Sequence, residues 1–159
     1  FQYRFQTVNV KDGLSGHNFG NLLIAAMADI TGDFEKAVEQ TAKVLAIRGR
    51  VLPSTVESVV LVGVMADGAE VVGESAIAHD ARAISRITLA PAHPKPVPQV
   101  LDAIRAADII VMGPGSVFTS VVPNLLVPEI ADAVSKSRAT LKVYVCNVMT
   151  QRGETDGYT

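Results

Sequence analysis

Several things are scarce in this sequence, and each scarcity removes a class of protein. There is one cysteine, Cys146, which excludes an internal disulfide framework and any multi-cysteine metal site and suits a reducing compartment. No cluster of Lys or Arg occurs anywhere, and a formal net charge of -2 with a pI near 5.9 argues against a nucleic-acid partner, which would want a basic face. The longest uninterrupted apolar run is LLIAAMA, far short of the roughly 20 residues of a spanning helix. No membrane role is expected from it. The first residue is Phe1 rather than a methionine, and the last residues, GETDGYT, fall inside a polar loop, so the chain reads as an internal piece of a longer protein.

What is present describes a globular domain. The 159 residues are 48% hydrophobic and 19% charged, enough to bury a core. The run FGNLLIAAMADI is apolar almost all round and predicts a helix buried in the middle of the fold. Gly20 within it costs about 1 kcal/mol relative to alanine. Gly32 stops this helix and Asp33 caps the next, in which Phe34, Ala37, Val38, Thr41, Ala42 and Leu45 share a face up to a close at Gly49.

The period then changes. SVVLVGVMADGAEVVGE is two β-rich runs around Asp67-Gly68, a pair suited to a type I′ turn, and predicts a hairpin. ISRITLA supplies a further strand, APAHPKPVP an extended connection, and PQVLDAIRAAD a helix burying Val100, Leu101 and Ile104. Beyond it the order is strand DIIVM, glycine-rich loop, helix, strand KVYVC and polar loop. Alternation with nearly continuous apolar strands predicts parallel strands covered on both faces. Their right-handed crossover places segments 113–120 and 147–157 side by side at the carboxyl edge of the sheet, where open α/β folds bind ligands.

Three segments carry candidate chemistry. In GPGSVFTS, Gly113 and Gly115 let the backbone approach a ligand, while free N–H groups and the hydroxyls of Ser116, Thr119 and Ser120 can donate to an anion such as phosphate. The spacing is neither that of a P-loop nor that of a dinucleotide fingerprint, and a plain strand-to-helix turn also accounts for it. In GHNFGN, His17 and Asn21 lie one helical turn apart beside Asn18, which is an anion ligand or simply the N-cap. In CNVMTQRGETDGYT, Asn147, Thr150, Gln151 and Thr155 crowd the end of an apolar strand. Glu154 and Asp156 there are candidate ligands of a divalent cation, or simply solvated acids. Cys146 reads as a buried small hydrophobe, and His79 and His93 as surface residues.

These segments also resemble a known family. SGHNFGNLLIAAMADITGDFEKAV, IRGRVLPST, RITLAPAHPKP, IRAADIIVMGPGSVFTSVVPNLLVPEIADAV and VYVCNVMTQRGETDGYT closely resemble the CofD-like (phospholactate transferase) family, in its gluconeogenesis-factor branch. The resemblance implies a Rossmann-like three-layer α/β/α domain with a mostly parallel sheet and a β-hairpin insertion, residues 1–159 forming one such domain. Members begin with a GGGTG-type strand-loop-helix that has no counterpart here, so the domain would be incomplete at both ends.

For the gluconeogenesis-factor branch the resemblance implies a cytoplasmic, non-catalytic, homo-oligomeric regulator that binds a UDP-sugar or another nucleotide diphosphate and needs no cofactor. It would be linked to central carbon metabolism, cell wall and cell shape. For the transferase branch it implies magnesium and transfer of a phospholactyl group from a guanosine diphosphate donor. The family's shared loops fall on 16–21, 113–116 and 147–157, the segments already singled out.

Overall fold

The computed structural model of the chain describes Tyr3, Phe5 and residues 18–156. The chain divides into two compact units, Phe1–Pro53 and Ser54–Thr159.

The first unit is a helix pair. Helix α1 spans Phe19–Thr31 and α2 spans Phe34–Val44, with α1 packed on α2. The local signals act as their chemistry dictates. Asn18 Oδ1 accepts from the Gly20 N–H at 2.8 Å, Gly32 ends α1 with φ 66°, and Asp33 Oδ1 accepts from the Lys36 N–H at 3.0 Å. Two expectations need correction. Within α1 only Gly20 is buried and Ile30 is largely exposed, so this helix is not enclosed on all sides. Helix α2 stops well before Gly49: Ala46 takes φ 51°, its N–H bonds Lys43 O, and the Ile47 N–H bonds Ala42 O. That double closure is a Schellman motif, which satisfies the terminal carbonyls without a glycine. Its buried face is Ala37, Val38 and Thr41; Phe34, expected on it, is exposed.

The second unit holds two sheets. Strands β1 (Val60–Met65), β2 (Glu70–Val72) and β3 (Ile84–Ala90) form an antiparallel sheet of order β2-β1-β3. Helix α3 (Glu74–His79) follows β2 and lays Ile77 onto the sheet. The core is Leu61, Met65, Ile77 and Ile87, edged by Phe118 and Leu126 from farther along the chain. Buried Gly63 permits this packing, since a Cβ there would meet Met65 Cε at 3.1 Å and Ile77 Cγ1 at 3.2 Å.

The hairpin forms where expected but not with a type I′ turn. Asp67 keeps a negative φ because its carboxylate accepts from the Ala69 N–H at 3.0 Å, and only Gly68 is left-handed, at φ 83°. Gly68 N–H to Met65 O and Met65 N–H to Ala69 O, both 2.9 Å, make a type I turn closed by a glycine bulge.

Residues 91–97 form a connection without helix, as expected, but bend at 91–93, where His93 takes φ 58°, rather than running extended throughout; buried Pro94 and Val97 anchor it. They lead into α4 (Pro98–Ala106), whose Val100, Leu101 and Ile104 are half-buried rather than buried. Strand β4 (Ile109–Met112) pairs in parallel with β5 (Leu141–Tyr144), from Ile109 opposite Leu141 to Met112 opposite Tyr144. Between them run a π-helical turn, Val117–Val121, α5 (Val122–Leu125) and α6 (Pro128–Lys136). The mixed α/β class therefore holds, and the described strands give one antiparallel sheet and one parallel pair.

The parallel pair is covered on one face. Ile110 and Met112 line a groove with Val100, Ile104, Ile130 and Val134 of α4 and α6. On the opposite face Ile109, Val111 and Leu141 are more than half exposed, with no covering layer among the described residues of this unit. Among the described residues no single helix is long and apolar enough to cross a membrane.

Candidate functional site

Both loops expected at the carboxyl edge leave the parallel pair together. β4 ends at Met112, whose carbonyl accepts from the Val145 N–H at 2.9 Å, holding the two strand exits side by side. Gly113 then takes φ 87°, and a Cβ there would lie 2.8 Å from Val145 O, so only glycine fits this turn. Gly115 is pressed against Ser120, with a Cβ position 3.1 Å from Ser120 Cβ. The chain then winds into the π-helical turn, in which both the Ser120 and Val121 N–H groups bond Ser116 O at 3.0 Å.

Because this turn is the start of a helical segment, its first N–H groups have no intrahelical acceptor. Among the described residues those of Gly115, Ser116 and Val117 donate to no protein acceptor. The next, Phe118 N–H, donates to Glu154 Oε2 at 3.1 Å, and the Thr119 hydroxyl donates to Glu154 Oε1 at 3.1 Å. Thr119 is thus committed within the protein and is not free to bind a ligand as expected.

The second loop supplies the support. Asn147 Nδ2 donates to Gln151 Oε1 at 3.0 Å, and Gln151 Nε2 donates to Ser116 Oγ at 2.7 Å. Thr155 Oγ1 accepts from the Gln151 N–H at 2.8 Å, and Asp156 Oδ2 from the Gly153 N–H at 2.7 Å. Gln151 is therefore a relay that carries the position of Asn147 to Ser116. Thr150 is exposed. The expected adjacency of the two loops is borne out by the Gln151–Ser116 and Glu154–Thr119 bonds.

A third support comes from the antiparallel sheet. Gly153, at φ 78°, accepts through its carbonyl from the Ile84 N–H at 3.0 Å, and a Cβ on it would lie 2.5 Å from Asp80 O. The Asp80–Arg82 backbone against which it rests is itself clamped: Arg82 donates from Nη2 to Asp80 Oδ2 at 2.6 Å and from Nη1 to Asp67 Oδ2 at 3.0 Å. This pairing with Arg82 holds the Asp80 carboxyl down to about 2 and pushes the guanidinium up, while the Ala69 N–H, then Arg82, lower Asp67.

Beside the loops lies a cavity of about 710 Å³, walled by Met112, Val121, Leu125 and Tyr144 and rimmed by Asn147 and Thr150. Its size is that of a site for a small organic ligand. Cys146 also lines it and is exposed, correcting the expectation of a buried hydrophobe: it lies past the last paired residue of β5. Desolvation, then the neighbouring Cys146, raises the Tyr144 hydroxyl.

Of the remaining sequence candidates, His17 lies outside the described residues. Asn18 serves as N-cap and Asn21 is exposed on α1, both in the first unit. His79 and His93 are exposed, His79 bonding Ser75 O through Nδ1. Glu154, a candidate cation ligand, accepts from the Phe118 N–H and the Thr119 hydroxyl, and among the described residues no three His, Cys, Asp or Glu side chains come together. Glu154, Gly153 and Arg82 were the contributors that sequence reasoning missed as supports. The only local signal was a glycine just before an acid in a polar loop.

A mixed α/β protein with a ligand-type loop pair at the carboxyl edge of a parallel pair is the class that fold and site define. The chain belongs to the CofD family: the family model described as 2-phospho-L-lactate transferase CofD matches residues 1–159. It is 55% identical over 159 residues to the gluconeogenesis factor of Halalkalibacterium halodurans, covering all of this chain and 48% of that protein. To the gluconeogenesis factor of Bacillus subtilis it is 52% identical over 159 residues, covering all of this chain and 49% of the relative. A crystal structure of a UPF0052 family protein from Bacillus halodurans superposes with a TM-score of 0.84 at 54% identity, over 99% of this chain and 50% of that one. The chain thus spans about half the length of the relatives it matches.

Proposed function

We propose that the protein is a nucleotide-sugar-binding regulator of the gluconeogenesis-factor type, with the ligand's diphosphate on the amides of residues 115–117. The observation that carries this reading is the row of N–H groups at Gly115, Ser116 and Val117, which have no protein acceptor among the described residues and end at Val117 on the wall of a cavity of about 710 Å³. Backbone donors at a helix start favour anionic oxygen through both hydrogen bonding and the helix dipole. The cavity has room for the organic part of a UDP-sugar. The names of the relatives support a role in central carbon metabolism; the links to cell wall and cell shape, the cytoplasmic location and a homo-oligomeric state belong to the same reading.

Titration calorimetry on the full-length protein tests it. Saturable heat with UDP-N-acetylglucosamine and no turnover is the expected result. Silence with every uridine and guanosine nucleotide would remove the proposal.

The description of the matching family favours a second reading, a magnesium-dependent transferase acting on a nucleotide diphosphate donor. Charge stabilisation and positioning account for much of the catalysis in phosphoryl-type chemistry, so the same amides would serve it. Asp156, exposed at the loop, is the carboxylate closer to solvent for placing magnesium. Release of guanosine monophosphate in the presence of an acceptor would establish this reading in place of the regulator.

A further inference from the structure

Glu154 is the only buried acid among the described residues, and a carboxylate is not taken out of water without compensation. Its compensation comes entirely from the ligand loop: one oxygen takes the Phe118 N–H and the other the Thr119 hydroxyl, across a sequence separation of 35 to 36 residues. These two donors directly follow the amides of Gly115, Ser116 and Val117. A helix start offers several free N–H groups, and an anion could in principle settle on any of them. With a built-in carboxylate already on Phe118, the segment from 118 onward is satisfied and bears negative charge, which turns a second anion back toward Gly115–Val117.

We infer that Glu154 is the positioning residue of the 113–120 loop: through Phe118 and Thr119 it fixes the loop's shape and confines the anionic group of a nucleotide diphosphate to the amides of residues 115–117. The inference rests on the proposed nucleotide-binding reading for its ligand, but not for the effect of Glu154 on the loop. Glu154 does not touch the ligand; it acts through the backbone it holds. The second-loop geometry serves the same end, because Gly153, wedged against Asp80 O, sets where Glu154 enters. Gln151 meanwhile steadies Ser116 from the other side.

Glu154→Gln keeps the shape of the side chain and a carbonyl oxygen for Phe118 while removing the charge. In the full-length protein it is expected to weaken UDP-N-acetylglucosamine binding on the order of tenfold, since bonds to an ionised acceptor are about twice as strong as neutral ones. Hydrogen exchange across 116–120 should accelerate. Thr119→Val keeps the charge and removes one donor, and should act in the same direction. The double variant should be scarcely worse than Glu154→Gln alone, because the two side chains act as one unit. Val38→Ala, on the buried face of α2 in the first unit, lowers stability without touching the core against which Phe118 packs and is the control: a merely structural role would lower affinity equally in it.

Unchanged affinity together with unchanged exchange at 116–120 in Glu154→Gln overturns the inference, and so does an equal affinity loss in the Val38→Ala control. If Glu154→Gln does not fold, Thr119→Val is judged by the same criteria. If the wild-type protein binds no nucleotide, the functional reading falls, and exchange at 116–120 alone decides the role of Glu154.

Discussion

The two sheets of the second unit treat apolar residues in opposite ways. The antiparallel sheet encloses the apolar side chains of its core face, with Met65 1% and Ile87 6% exposed beneath Ile77 of α3, and leaves strand-end valines such as Val60 and Val72 outside. In the parallel pair, Ile109 and Val111 are each 57% exposed and Leu141 52%, although the sequence of β4 is the more continuously apolar. The antiparallel sheet holds the tighter core, and the parallel pair delivers the candidate ligand loops. Strand β4 and strand β5 are short, and their service is to deliver two loops to one place, whereas β1 and β3 clamp a core and lend an edge on which Gly153 rests.

That contrast makes the largest prediction a test of the core. Met65→Ala removes a fully buried side chain that touches Gly63 and should cost about 2–5 kcal/mol in equilibrium unfolding. Ile109→Ala, equally apolar but exposed, should fall within about 0.5 kcal/mol of wild type. Comparable losses from the two would erase the distinction between the sheets.

Gly153→Ala tests the place where the two regions meet. Its left-handed φ of 78° and the 2.5 Å approach of Asp80 O leave no room for a methyl group against rigid backbone. A cost of more than about 1 kcal/mol is expected, accompanied by loss of nucleotide binding as Glu154 is displaced from Phe118. Urea denaturation and calorimetry on the same preparation measure both. Normal binding in a destabilised variant would mean that the loop does not depend on the antiparallel sheet for its shape.

Much of this arrangement was legible in the sequence wherever the signal is local. Asn18, Gly32 and Asp33 mark helix ends through bonds reaching only two to four residues, and DIIVM followed by GPGS marks a strand exit whose glycine requirement the Gly113 turn explains. The side-by-side placement of the two loops followed from the crossover rule, which depends on chain order alone. What was not legible depends on partners distant in the chain. Glu154 reads as a solvated acid until Phe118, 36 residues away, is placed beside it; the turn type at Asp67-Gly68 is a local choice instead, between two turns that the same residue pair allows, settled by the Asp67 carboxylate accepting from the Ala69 N–H. Cys146 was misread because the strand was assumed to stay covered to its end, whereas its last paired residue is Tyr144.

The smallest expected effect concerns pH and the Arg82 clamp. Asp80 has its carboxyl held at about 2, against an ordinary value of 3.8, chiefly by the hydrogen bonds from the Arg82 side chain and then by the Arg82 backbone N–H. A carboxyl that holds its proton less tightly when folded contributes stability that is complete above its unfolded pKa. That contribution is lost as pH falls from about 4 toward 2, when the unfolded chain takes up the proton first. Asp67, lowered by the Ala69 N–H and by Arg82, adds in the same direction. All three groups are solvent-accessible, so the effect is modest and shrinks with added salt. Urea midpoints followed from pH 5 to pH 2 should therefore fall less steeply in Asp80→Asn than in the wild type, with the two curves converging at the acid end. Parallel curves across that range would show that the clamp holds the hairpin turn by shape alone, and that the Asp80–Arg82 backbone would support Gly153 equally well without its charges.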